Sequence, residues 1–328
     1  MNSVGIDISK GRSTIAVMRP FGEVAISPFE VRHTDSELSE LARRLKSLNG
    51  ETRVVMEATG NYHAPVAKLL HDAGLYVSVV NAKLVHGYGN NDLRRVKTDR
   101  KDAVKLANYG LDRWLTLPRY VPEENTRLLL KNCYRQYRQY SKVQTVLKNN
   151  LISLLDMTFP NANRLFVSPA RADGSEKWVD FVAEFWHCEC VSERSLKSFV
   201  NKYWRWCRKH GYNFSEEKAH AIYDEASGHI GVMPKSETTK LLVEQAVSQL
   251  SATSAALAAL KQEMQSLSSQ LPEYPVVMGM FGVGPILGPQ LIAEIGDVRR
   301  FYSKKALVAY AGIDAPPNDS GDVIGRHK

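Results

Sequence analysis

Cysteine is scarce in this chain: Cys133, Cys188, Cys190 and Cys207 are the four among 328 residues, too few and too unevenly spaced for a disulfide framework. With His187 and His210 nearby they suggest zinc, but the spacing fits no standard finger, so a reduced and mostly buried set is the expectation. Long apolar runs are missing too. No stretch is long enough to span a bilayer, and residues 1–20 contain Asp7, Lys10 and Arg12 but no apolar signal-peptide core, so a cytoplasmic chain is expected. What is present is positive charge. Lys and Arg number 43 against 35 Asp and Glu, giving a formal charge of +8 and a pI near 9.2, which favours a polyanionic partner. The 44% of hydrophobic residues supply an ordinary core, and the length suffices for two domains with a connecting arm.

Four acids in the first third stand where local patterns hold them rigidly. Val4, Ile6 and Ile8 alternate with Gly5, Asp7 and Ser9, so Asp7 reads as a strand residue facing away from the isoleucines. Glu57 ends a short β-branched run ahead of the turn-prone Thr59, Gly60 and Asn61. Thr98 reads as an N-cap, which places Asp99 and Asp102 at i and i+3 in a first helical turn. Each acid alone is compatible with a solvated or capping role. Together, oxygen-only ligands of this kind suit a two-metal Mg2+ site for phosphoryl displacement.

The element order through residue 115 is βββαβαβα. Strand-like runs at 3–8, 13–18 and 23–31 are joined by hairpin-length connections, and a helix follows with Thr34 and Glu37 as a capping box and Asn49-Gly50 as its stop. A strand ending at Glu57, a helix over 64–73, a strand over 75–80 and the Asp99 helix complete the series. This is the RNase H-like order. The fold class expected is α/β plus α, with boundaries at 1–118 for the nuclease domain, 119–271 for a coiled-coil arm with a helical insertion at about 161–235, and 272–328 for a small C-terminal domain.

GIDISK around Asp7, MEATGNY around Glu57, KTDRKDA around Asp99 and Asp102, and the block from Gly282 to Gly321 together resemble the DEDD transposases of bridge-RNA-guided insertion sequences. That family includes Piv-type DNA invertases and carries a RuvC-like nuclease domain. The resemblance implies that Asp7, Glu57, Asp99 and Asp102 are the metal-binding quartet and that Ser320 attacks DNA, in a composite site shared between protomers. From chemistry alone Ser320 sits in a Pro- and Asn-rich turn with no His-Asp partner in sequence, and would pass unnoticed. The implied partners are double-stranded DNA, a structured guide RNA and further copies of the chain, in a prokaryotic, nucleoid-associated setting. Residues 322–328 follow Ser320 where the family continues with a basic helical segment, which implies C-terminal truncation. A hydrolytic RuvC-like nuclease and an inactive DNA-binding relic are the alternatives. A sugar-kinase or actin-like ATPase also opens with Gly-x-Asp, but Lys10-Gly11-Arg12 is a poor phosphate-binding hairpin.

Several basic stretches have two readings each. Arg94, Arg95, Lys97, Arg100 and Lys101 either offset the nearby acids or hold substrate phosphates in line. Arg127, Lys131, Arg135, Arg138 and Lys142 step by four, four, three and four along one helical face, as a solvated stripe or a phosphate contact, beside Tyr134, Tyr137 and Tyr140. Its helix is expected to pair with a seam of Val243, Ala246, Leu250, Thr253, Leu257, Leu260, Met264, Leu267 and Leu271. Gly282 and Gly284, with Gly279 and Pro285, resemble a helix-hairpin-helix that offers backbone amides to phosphate, or form a Gly-rich packing turn. Residues 161–235 are rich in tryptophan and in basic side chains such as Lys202, Arg205, Arg208 and Lys209, and contain no motif.

Overall fold

A computed structural model describes residues 1–88, 98–229 and 231–313, together with the backbone of 319–320 and 323–324. It resolves into two compact units, Met1–Glu123 and Glu124–Lys328. Among the described residues no helix is long and apolar enough to cross a membrane.

The first unit is built on one sheet of order β3-β2-β1-β4-β5. Strands β1 (Asn2–Ser9), β2 (Arg12–Arg19) and β3 (Glu23–Arg32) form an antiparallel meander, while β4 (Thr52–Glu57) and β5 (Tyr76–Val80) run parallel to β1. Period-two alternation then sorts side chains between two faces. Val4, Ile6, Val54 and Met56 are fully buried against α1 (Asp35–Lys46) and α2 (His63–Asp72), through Leu38, Leu41, Leu45, Val66 and Leu70. The opposite face, with Val55, packs on Leu106 and Tyr109 of α4 (Asp99–Asp112), which follows the short α3 (Ala82–His86). Helix α3 is an addition to the expected order. The Thr34 hydroxyl accepts from the Glu37 amide as a capping box requires, but the Glu37 carboxylate turns to the Arg32 amide at 2.7 Å. It thereby ties the helix start to the end of β3.

The second unit is an antiparallel pair of long helices with a cap. Helix α5 (Asn125–Thr158) runs out, α6 (Lys177–Glu184), α7 (Glu189–Ser192), α8 (Leu196–His210) and α9 (Glu216–Gly228) build the cap, and α10 (Glu237–Ser269) returns. Leu151 and Leu155 meet Val243, Ala246 and Leu250 at the cap end, and Leu130 meets Met264, Leu267 and Leu271 at the other. The seam differs from expectation at one step. It passes through Ser254, which is buried and accepts from the Gln144 amide at 2.9 Å, while the Thr253 hydroxyl donates to the Gln249 carbonyl. A four-residue step from Leu250 keeps the buried face aligned where a three-residue step would rotate off it. The cap core is aromatic: Phe181, Phe185, Phe199, Tyr203 and Trp206 are all nearly or wholly inaccessible and stack or meet edge to face. Cys188 and Cys207 are buried within it as free thiols, and His187 is fixed by its Nε2 against the Met233 carbonyl at 3.0 Å.

The chain closes with α11 (Tyr274–Met278), α12 (Leu287–Ile295), α13 (Lys304–Tyr310) and a two-stranded hairpin of β6 (Asp319–Ser320) and β7 (Val323–Ile324). Ile292 and Ala293 of α12 bury against Leu130 and Leu271. At this junction Arg127 corrects the basic stripe. Its side chain is 6% exposed and gives two parallel hydrogen bonds to the Glu273 carboxylate, so it pins α5 to the start of α11 and is withdrawn from any phosphate. Sequence spacing placed it on the stripe because Glu273 is remote in the chain. Arg127→Met should lower stability by about 3 kcal/mol in a urea melt, because Glu273 is left half-buried and unpaired. The Arg127 guanidinium also holds the Glu273 carboxyl below its ordinary value of 4.5. That contribution to stability is complete above pH 4.5 and is lost as pH falls through the depressed value, so the variant should show a flatter acid limb.

Candidate active site

The register of β1 on β4 sets the acids. Gly5 pairs with Val55 and Ile6 with Met56, so one step further Asp7 and Glu57 come side by side at the C-terminal ends of two parallel strands. Both alternate onto the face covered by α4, the face of Gly5 and Val55. Helix α4 lies on that face at backbone contact distance: a Cβ on Gly5 would fall 2.0 Å from the Ala103 carbonyl oxygen and 2.4 Å from the Ala107 nitrogen. Further along, a Cβ on Gly110 would meet the Ser3 hydroxyl at 2.3 Å. Since Gly110 lies over Ser3 and Ala103 over Gly5, α4 runs antiparallel to β1 and its first turn points toward the Asp7 end. Thr98 caps that turn by accepting from the Lys101 amide, which fixes Asp99 and Asp102 in it.

The fold therefore directs Asp7, Glu57, Asp99 and Asp102 to one end of one sheet face. Asp7, Glu57 and Asp102 are half-buried and Asp99 is exposed. Among the described residues no three His, Cys, Asp or Glu side chains lie close enough to hold a metal ion together. The donor chemistry nevertheless fits a hard divalent cation, since all four groups offer carboxylate oxygen. Gly5 and Gly110 are the site-shaping residues missed from sequence; a glycine inside a strand is the signal for a backbone approaching closely.

The basic residues separate into groups. Arg100 and Lys101 are exposed on the first turn of α4, beside Asp99 and Asp102. Arg94, Arg95 and Lys97 lie outside the described residues. On α5, Arg135, Arg138 and Lys142 are exposed and Lys131 is half-buried, while Tyr134 and Tyr137 pack against the Leu130 and Met264 cluster. Gly282 takes a positive φ of 80° in the turn between α11 and α12, and the Gly284 carbonyl accepts from the Gly288 amide at 2.9 Å. Gly288 lets α12 approach Met278 of α11, so these two short helices pack around a Gly-rich turn. Ser320 pairs with Val323 across the β6/β7 hairpin; its side chain lies outside the described residues.

Residues 4–160 match a family model described as a transposase, of the DEDD IS110 type, and residues 274–328 match one described as the transposase IS116/IS110/IS902 family. The chain is 24% identical over 326 residues to the insertion element IS116 uncharacterized 44.8 kDa protein of Streptomyces clavuligerus, covering 99% of this chain and 78% of that one. Pilin gene-inverting proteins of Moraxella bovis and Moraxella lacunata are each 27% identical over 134 residues, 41% of this chain and 38% of theirs. Among solved structures, RuvC of Thermus thermophilus is similar over 37% of this chain and 100% of its own at 16% identity and a TM-score of 0.27. The same protein with a Holliday junction substrate gives 13% identity over 37% and 99%, at a TM-score of 0.28.

Proposed function

We propose that this chain, whose residues 4–160 and 274–328 match transposase models, is a DNA transposase or recombinase of the IS116/IS110/IS902 type that cuts and rejoins DNA through Ser320 with help from the four-acid face. The observation that carries this reading is the antiparallel run of α4 over β1, which directs Asp99 and Asp102 toward Asp7 and Glu57.

These four carboxylates would hold Mg2+, which when bound neutralises charge on a phosphodiester and lowers the cost of oxygen attack on phosphorus. Arg100 and Lys101, on the same turn as two of the acids, hold the substrate backbone against the site. The Ser320 hydroxyl forms the new bond to phosphorus and a deoxyribose oxygen leaves. A phosphoserine ester conserves the phosphodiester, so the reverse attack by a deoxyribose hydroxyl reseals a strand with no nucleotide cofactor. Strand exchange needs more than one copy of the chain. Choice of sequence falls to a structured guide RNA, in keeping with a basic chain that carries no base-reading motif.

Trapping tests the serine. Wild-type protein with Mg2+ and cognate DNA should give a denaturation-resistant adduct whose modified peptide contains Ser320. DNA cleavage with no adduct at any time would instead favour attack by water on the same acid face.

A further inference from the structure

We propose that Arg171, Lys177 and Lys218 form a phosphodiester-binding site on the helical cap, made of residues that belong neither to the acid quartet nor to the basic stripe of α5. Two aromatic rings organise the three cations. The Arg171 guanidinium lies 3.9 Å from the centre of the Tyr212 ring, the Lys177 ammonium is 5.1 Å from Tyr212 and 4.8 Å from Phe166, and the Lys218 ammonium is 5.7 Å from Phe166. Lys177 thus reaches both rings and links the other two. Arg171 is held further by Nη2, which donates to the carbonyls of His210 at 2.8 Å and Gly211 at 3.0 Å and leaves Nη1 and Nε for another acceptor.

Among the described residues none of the three makes an ion pair, and the carboxylates around them are hydrogen-bonded elsewhere, although Glu225 lies within the field of Lys218 and Asp173 within that of Arg171. Asp180 accepts from the Tyr212 hydroxyl, Asp173 from Ser175, Glu225 pairs with His229 and Asn161, and Glu176 with Lys148 and Trp178. Solvated surface lysines splay apart to relieve repulsion. Here Lys177 and Lys218 are half-buried and drawn together by ring faces. Burial holds the Lys177 ammonium below the ordinary lysine range, and the like charges of Lys218 and Arg171 push the same way. An anion between the three cations offsets the repulsion among them. Lys177 is the first residue of α6, whose start has no side-chain cap and carries Asp180 in its first turn, whereas the start of α9 is already capped by Ser215 and carries Glu216 and Glu217, so Lys218 contributes its ammonium and not a free helix end. Arg supplies planar, bidentate recognition of phosphate and the lysines supply point charge, a donor set suited to a polyanion backbone.

This proposal rests on the reading of the chain as a nucleic-acid enzyme, so binding is measured on the full chain with two probes, a labelled DNA duplex and a labelled hairpin RNA, across a salt series. Lys177→Met with Lys218→Gln should weaken one probe and reduce its slope of log K against log salt by about two, close to one for each lost phosphate contact. The probe affected identifies whether DNA or RNA supplies the phosphate. In parallel, acylation of wild-type lysines read by mass spectrometry should show Lys177 and Lys218 protected by that probe, a readout independent of how the variant folds. Unchanged slopes in a variant with a normal melt, together with equal acylation with and without both probes, would overturn the site. Failure of the wild type to bind either probe would overturn the functional reading as well.

Discussion

Asp7→Asn is expected to reduce Mg2+-dependent strand cleavage by about 10³-fold or more, the several kcal/mol that a lost anionic ligand removes from stabilisation of developing charge. Affinity for DNA should change by no more than a few-fold, because the amide keeps the shape of the carboxylate and Asp7 lies on the strand, not among Arg100 and Lys101. Rates in Mg2+ and Mn2+ by single-turnover gel assay, with binding measured separately, check both halves. The position explains the size of the effect. Asp7 comes beside Glu57 on adjacent parallel strands and under the approach of α4, so no neighbouring side chain in the register can take its place. Wild-type rates in the variant would remove the acid face from the mechanism.

Gly5→Ala is expected to destabilise the first unit by about 3 kcal/mol or more and to suppress cleavage in whatever protein remains folded. The added methyl would lie 2.0 Å from the Ala103 carbonyl oxygen and 2.4 Å from the Ala107 nitrogen. Both are backbone atoms of one helix, so no side-chain rotation relieves the clash and α4 must lift as a body. That motion carries Asp99 and Asp102 away from β1. A thermal melt checks the first effect, and cleavage well below the variant's melting temperature checks the second. Gly11, on the β1–β2 hairpin with a φ of 79° and open space around it, supplies the comparison: alanine there strains the backbone without moving α4.

Much of the first unit is legible in sequence because its signals are local. Alternation in 3–9 assigns Asp7 to a face, Thr98 marks a helix start, and the strand-forming run around Val54 and Val55 ends at Glu57. What sequence does not carry is set by distance along the chain. Gly5 and Gly110 make sense once α4 is laid on β1, and Arg127 reads as a member of a basic stripe until Glu273 takes it. The choice of Ser254 over Thr253 for the seam turns on helix phase, which small polar residues leave ambiguous in sequence. In residues 161–235 the signal is burial of aromatics around Phe181 and Trp206, and tryptophan spacing alone does not say which ring faces inward. Trp178, Trp186 and Trp206 are buried there, while Trp204 is 41% exposed.

The two long helices of the second unit are separated by the whole cap, and this sets an order in time. When α5 leaves the ribosome its partner α10 is still more than a hundred residues from completion, roughly 5–20 s at ordinary synthesis rates. Through that interval the apolar stripe of α5 has no helix to cover it. Leu151, Leu155 and Phe159, however, belong to the cap core together with Phe181, Phe199 and Trp206, all of which are translated before α10. A nascent chain can therefore bury one end of α5 early and present a nearly closed loop to the arriving helix, which shortens the entropy-limited search for its register.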